Sequence, residues 1–308
     1  MTRGFVTMAT GRREYYLLAR NLLLSYKFHT KKPLPFAIIC DRKNSLTRYF
    51  DDVVIIDSPT RTYTDKVRIL DLSPYDESIF LDADSLAYSD LNELWDFFND
   101  SPPFGILGCV YPLDSDKAWV SVDNAGIFKD RLEFLLTCQG GIYYFRKDEL
   151  NDFRSTADYI LKHYTEFKFR PYNSKPSDEK IFTLACSAHG YRPPHDWTSI
   201  FAYYPNIKRI NKLDIRSGTL DYVFKWQTEN VPHPENGKYI LHWGTKGTRT
   251  RLYTLEMERL RSKSEGKEVS MPRLIRHHTM ALIRQASANI FYGIKVVAYK
   301  ILNRHKNN

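Results

Sequence analysis

Three short runs with almost no polar residue restrict what this chain can fold into: Phe36-Ala37-Ile38-Ile39-Cys40, Val53-Val54-Ile55-Ile56 and Ser78-Ile79-Phe80-Leu81. A strand with one wet face alternates apolar and polar residues; these runs do not, so both faces of the sheet they form must be covered. Helical stretches separate them. Tyr15 to Tyr26 carries apolar residues at helical spacing, and Lys66 to Leu72 reads as a helix stopped by Ser73-Pro74. With Phe5 to Met8 as a first strand, the pattern is a series of βαβ units around a mainly parallel sheet. Further strands are expected at Phe104 to Val110, Gly141 to Phe145 and Tyr239 to Leu241. Further helices are expected at Leu150 to His163 and Asp178 to Ala188. The fold class is therefore α/β with helices on both faces of the sheet.

In such sheets ligands bind beyond the carboxyl ends of the strands. That places the loop after Met8 and the segment starting at Asp82 on the ligand-binding edge. Cys40, Cys109, Cys138 and Cys186 show no paired spacing, which argues against a disulfide framework or a zinc site and favours a reducing, cytoplasmic compartment. The residues before the first strand carry no basic-then-apolar leader pattern. A chain of 308 residues needs no covalent staples, since chains of this length bury about 75% of their unfolded surface.

The sharpest chemical signal is Ile79-Phe80-Leu81-Asp82-Ala83-Asp84. Alternation along an extended chain puts Asp82 and Asp84 on one side. Two carboxylates leaving a buried strand together repel each other unless a cation or protons intervene, and a divalent ion bridging them to a diphosphate resolves the repulsion. A second Asp-x-Asp, Asp114-Ser115-Asp116, follows Pro112 instead of a clean strand and is the weaker candidate.

Leu81 to Asp96, LDADSLAYSDLNELWD, resembles the Asp-x-Asp segment of glycosyltransferase family 8, the family of glycogenin and the bacterial lipopolysaccharide galactosyltransferases. Three further segments match in order. Thr7-Met8-Ala9-Thr10, with Tyr16, Ala19 and Ser25, resembles the strand, loop and helix that hold the nucleoside. Lys66 resembles a donor-contacting Lys, and Leu241-His242-Trp243-Gly244-Thr245-Lys246 resembles a C-terminal His-x-x-Gly-x-x-Lys element, one residue short before Gly244. Gln139-Gly140-Gly141 stands for an Asn-Ser-Gly turn and Asp178-Glu179 for an Asp-Gln pair. The resemblance implies the GT-A fold, a Rossmann-like three-layer α/β/α arrangement. It also implies a nucleotide-diphosphate sugar donor, a UDP-sugar above all, with Mn²⁺ (or Mg²⁺) and retention of configuration.

It assigns roles as follows. Asp82, Asp84 and His242 would hold the metal. Lys66 and Lys246 would hold phosphate oxygens, and Thr7, Ala9 and Tyr16 would hold the nucleoside, Tyr16 by stacking. Ala83, Gly140, Gly141 and Gly244 would line the donor, the glycines by admitting backbone where a side chain would clash. Asp178 would stabilise charge building on the sugar ring.

Residues 1–260 are expected to form the catalytic domain and 261–308 a basic helical tail. From Arg261 onward ten Lys or Arg face two acids, so +8 of the net +9 falls in the tail. Residues 261–270 read as a charged linker. After Pro272, apolar residues such as Ile290, Ile294, Val297 and Ile301 recur at helical spacing among basic ones, which suits a helix lying on an anionic membrane surface better than one spanning it. A peripheral site on the cytoplasmic face and a glycan or lipid-linked acceptor follow, with no nucleic-acid partner. Two other classes compete: a sugar-phosphate nucleotidyltransferase, for which Thr10-Gly11-Arg12-Arg13 is a poor signature, and a non-catalytic binder of membrane or nucleic acid.

Overall fold

The computed structural model describes residues 1–170, 175–194, 197–225, 239–264 and 279. The strands are β1 (Arg3–Ala9), β2 (Phe36–Cys40), β3 (Asp52–Ile55), β4 (Glu77–Leu81), β5 (Ser85–Ala87), β6 (Phe104–Tyr111), β7 (Leu135–Arg146), β8 (Phe201–Tyr203), β9 (Ile207–Asp214), β10 (Thr219–Phe224) and β11 (Ile240–His242). The α-helices are α1 (Arg13–His29), α2 (Ile69–Leu72), α3 (Leu94–Phe97), α4 (Asn151–Lys162), α5 (Asp178–Ala188), α6 (Gly244–Gly247) and α7 (Arg251–Ser264). These residues fall into two compact units, one of residues 1–202 and 239–242, the other of residues 203–225 and 243–264.

The first unit is built on a six-stranded sheet of order β3-β2-β1-β4-β7-β6. β3, β2, β1 and β4 pair in parallel, and β7 runs antiparallel between β4 and β6. This is the mainly parallel α/β sheet that the apolar runs require. Every residue of β2 and of β4 is buried. β3 is an edge strand instead of a fully covered one: Val53 and Val54 are half-buried and Ile55 is 39% exposed, because only β2 flanks it.

β7 is longer than its central apolar run suggests, and its register carries the feature that shapes the site. Ile106 on β6 faces Tyr143 and the next residue, Leu107, faces Gln139, so Gly140 to Ile142 bulge out of the ladder. A bulge frees backbone groups from strand pairing and re-aims them. The residues extruded here include Gly140 and Gly141.

The core of this unit lies between the sheet and α4 and α5. Phe104 is fully buried, with its ring 4.4 Å from Phe153, 4.7 Å from Phe182 and 5.8 Å from Tyr143. Phe104→Ala removes a ring that this packing cannot replace and is expected to cost about 3–5 kcal/mol, read as a lower urea midpoint with an unchanged slope.

In the second unit β9 and β10 form an antiparallel hairpin. Glu256 of α7, fully buried, accepts from Ile215 N at 2.7 Å and from Arg259 at 2.6 Å. Trp243 stacks on Tyr204 at 5.1 Å and meets Tyr253 edge-on at 5.3 Å. Residues 261–264, expected as the start of a linker, are helical: Tyr253, Met257 and Leu260 recur at one-turn intervals and are buried, which carries α7 through to Ser264. The basic helical tail expected from Pro272 lies outside the described residues.

Candidate active site

Asp82 leaves β4 directly, and its backbone N–H donates to Gly141 O at 2.9 Å, continuing the β4–β7 pairing by one residue. The chain then turns. Ser85 N donates to Asp82 O at 3.0 Å, so Asp82, Ala83 and Asp84 form a tight turn between β4 and β5. The two carboxylates therefore converge through this turn, not through extended-chain alternation. β5 pairs antiparallel with β11, placing His242 opposite Ser85 and beside Asp84.

His242 Nε2 lies 2.9 Å from Asp84 Oδ1 and 3.6 Å from Asp82 Oδ2. One ligand atom from each of Asp82, Asp84 and His242 falls within 4.8 Å of the others, and this is the one such group of metal-ligating side chains among the described residues. Ligands on opposite sides of an ion bound at 2.0–2.3 Å sit roughly 4–4.6 Å apart, so small movements close the three onto one ion. Two carboxylate oxygens and an imidazole nitrogen suit Mn²⁺ or Mg²⁺ better than a soft metal. Asp114 and Asp116, the alternative pair, are exposed and belong to no such group.

Lys66 comes from a 3₁₀ turn, Tyr63–Arg68, and its ammonium sits in the acidic cluster. It lies 2.8 Å from Asp82 Oδ2, 3.3 Å from Asp178 Oδ2 and 3.4 Å from Gly140 O. Burial alone would push its pKa down; Asp178 and Asp82 outweigh that and hold the ammonium charged. Asp82 is shifted upward, chiefly by burial and then by the Asp84 charge, against the pull of Lys66. Asp84 is held below its ordinary value: burial, the largest single effect, acts upward, but the charge and hydrogen bond of the adjoining His242, together with Lys66, outweigh it. His242 is raised, since Asp84 and Asp82 together outweigh the effect of burying its charge.

Behind this layer lies the start of α5. Asp178, 2% exposed, accepts from the Tyr143 hydroxyl at 2.8 Å. Glu179 accepts from Gly140 N at 2.8 Å, and burial and then the Asp178 charge raise its pKa. The bulge in β7 thus serves three partners at once: Gly140 N faces Glu179, Gly140 O faces Lys66, and Gly141 O pairs with Asp82.

The structure brings Lys66, Asp82, Ala83, Asp84, Gly140, Gly141, Asp178 and His242 into one neighbourhood. Thr7 and Ala9 end β1 and are buried. Tyr16 is fully buried and its hydroxyl bonds Asp41, so its ring has no open face for a base; Tyr15 is the neighbour with one, at 40% exposed. Gly244 (φ +63°) begins α6 in the second unit, and Lys246 on the same helix is exposed. Sequence reasoning missed Tyr143 and Asp41. Tyr143 hides among the apolar residues of β7, while Asp41, immediately after β2, was open to the rule that ligand groups follow strand ends.

No protein-family model matches the chain, and no curated protein matches it. Solved structures do. The galactosyltransferase LgtC, in complex with donor and acceptor sugar analogues, superimposes with a TM-score of 0.54 at 13% identity, over 87% of this chain and 97% of that one. An active-site glutamine-to-glutamate mutant of LgtC gives 0.54 at 12%, over 87% and 98%. The bifunctional glycosyltransferase WbbM gives 0.43 at 15%; the match covers 67% of this chain and spans 40% of the length of WbbM. The chain thus has the α/β fold of a GT-A glycosyltransferase, the architecture its resemblance to glycosyltransferase family 8 implied.

Proposed function

We propose that the protein is a metal-dependent glycosyltransferase that moves a hexose from a nucleotide-diphosphate sugar, a UDP-sugar, to a glycan or lipid-linked acceptor with retention of configuration. The observation that carries this reading is the convergence of Asp82, Asp84 and His242 at the end of β4, in a fold shared with LgtC. Two carboxylates and an imidazole close enough to share one ion, with a lysine beside them, suit a site for a cation and a diphosphate. On this reading residues 1–260 would be the catalytic part, and the basic tail expected at 261–308, whose first four residues end α7, would bind an anionic membrane face through the part that follows Ser264.

Asp82, Asp84 and His242 would hold Mn²⁺ or Mg²⁺, which when bound supplies Lewis acidity to the departing diphosphate. Lys66 brings a fixed positive charge to the same phosphates. Its three N–H groups already face Asp82, Asp178 and Gly140 O, so a phosphate oxygen must displace one of them. The bulged glycines would let the donor approach the backbone, and Asp178 would stabilise positive charge developing on the sugar. Thr7 and Ala9 would complete the donor contacts of the first unit, with Tyr15 as the exposed ring in place of the buried Tyr16.

Ligands that bind the native state raise its stability; at about 100 times Kd the gain is about 2.7 kcal/mol. UDP with Mn²⁺ is therefore expected to raise the Tm by several degrees, and UDP with a chelator to leave it unchanged. If the protein ignores UDP, GDP and their sugars with Mn²⁺ yet forms pyrophosphate from a nucleoside triphosphate and a sugar phosphate, the nucleotidyltransferase reading replaces this one.

A further inference from the structure

Asp178 Oδ2 is held by donors from two separate elements, the Tyr143 hydroxyl of β7 at 2.8 Å and the Lys66 ammonium at 3.3 Å. Its other oxygen has no hydrogen-bond donor among the described residues. A carboxylate with one oxygen fixed from two directions has its plane set, so the direction in which Oδ1 presents its lone pairs is set too. The Tyr143 ring cannot swing away. It is fully buried, with its centroid 4.9 Å from Phe182 and 5.8 Å from both Phe80 and Phe104.

We infer that Tyr143 is a positioning residue: its hydroxyl fixes the carboxylate of Asp178 so that Oδ1 meets the donor sugar. The inference rests on the proposed glycosyl transfer. Lys66 alone would not hold that geometry, because it is shared among Asp82, Asp178 and Gly140 O and must give up a partner when phosphate arrives. Among the described residues the phenol's hydrogen bond goes to Asp178 alone. The competing explanation is that a buried phenol needs some acceptor and Asp178 happens to supply it. Under that explanation, removing the hydroxyl changes stability and leaves turnover alone.

The test compares wild type with Tyr143→Phe, Asp178→Asn and the double variant, each as the full chain. Tyr143→Phe keeps the ring and its packing. The readout is release of UDP from UDP-galactose, UDP-glucose or UDP-N-acetylglucosamine with Mn²⁺, together with calorimetric binding of UDP and Mn²⁺. We expect Tyr143→Phe to lower kcat about 10- to 100-fold, the loss typical of a misoriented reacting group, with donor KM and UDP affinity unchanged. The double variant should be no slower than Asp178→Asn. Wild-type kcat in Tyr143→Phe, or losses that multiply in the double variant, overturns the inference. Crystal structures of wild type and Tyr143→Phe decide independently of activity: the Asp178 carboxylate is expected to turn, and an unmoved carboxylate rejects the role. If wild-type protein neither binds UDP with Mn²⁺ nor releases UDP, it is the proposed function that fails, and the crystal comparison still settles what Tyr143 does.

Discussion

Asp82→Asn is expected to lower Mn²⁺-dependent release of UDP from a UDP-sugar by about 10³-fold or more while the protein stays folded. Asn keeps the shape of Asp and its side-chain carbonyl but loses the charge. A metal held by one carboxylate fewer would be bound more weakly and placed less well against the leaving diphosphate, and about 4 kcal/mol of lost transition-state stabilisation is a factor of about 10³ in rate. The opposing view makes Asp82 a structural partner of Lys66, at 2.8 Å and with side chains 14% and 20% exposed. Breaking a buried pair from one side costs about 3–5 kcal/mol, so on that view the main effect is a large fall in Tm. Lys66 keeps Asp178 at 3.3 Å after the substitution, which argues that the structural loss is the smaller effect. Initial rates and Tm on the same preparation separate the two. Full metal-dependent turnover in Asp82→Asn removes the proposed metal site.

Much of the placement of this candidate site was legible in the sequence, and the reasons are local. Ile79-Phe80-Leu81 is a buried strand because nothing in it can face water, so Asp82 had to emerge at a strand end. The β7 bulge was not legible. Register between strands depends on cross-strand partners far away in sequence, and Gln139-Gly140-Gly141 reads equally well as a turn before a strand. That Tyr16 is the buried ring and Tyr15 the exposed one was not legible either, because adjacent residues of a helix point in different directions and composition does not say which one meets the sheet. Tyr143 was invisible for the opposite reason: in an apolar run a tyrosine looks like packing, and only its distance to Asp178 reveals a polar task. The short strand β5 was missed because Ser85–Ala87 is too brief to show a period; it exists by pairing with β11, more than 150 residues later.

Gly141→Ala is expected to weaken Mn²⁺ binding about 10- to 100-fold, a larger effect on the metal than the same change one residue earlier. A methyl built on Gly141 would stand 2.5 Å from Phe201 Cζ and 2.6 Å from His242 Nδ1, closer than non-bonded atoms can approach. One ring must move. Phe201 is fully buried, whereas the His242 side chain keeps some exposure, so the displacement is expected to fall on His242, whose Nε2 sits 2.9 Å from Asp84. Overpacking of this kind costs about 1–3 kcal/mol of stability, but the larger consequence is that the imidazole would be moved from the position in which it could hold a metal beside Asp82 and Asp84. Gly140→Ala is the control. Its methyl would meet the Glu179 side chain at 2.6 Å, and Glu179 is only partly buried and can swing aside. That change disturbs the α5 side of the site and leaves His242 where it is. Titrating Mn²⁺ into each variant with UDP present, and following the electron paramagnetic resonance signal of free Mn²⁺, measures both affinities directly. If Gly141→Ala binds the ion as tightly as wild type while Gly140→Ala does not, the cation is held nearer α5 than His242, and His242 loses its place as a ligand.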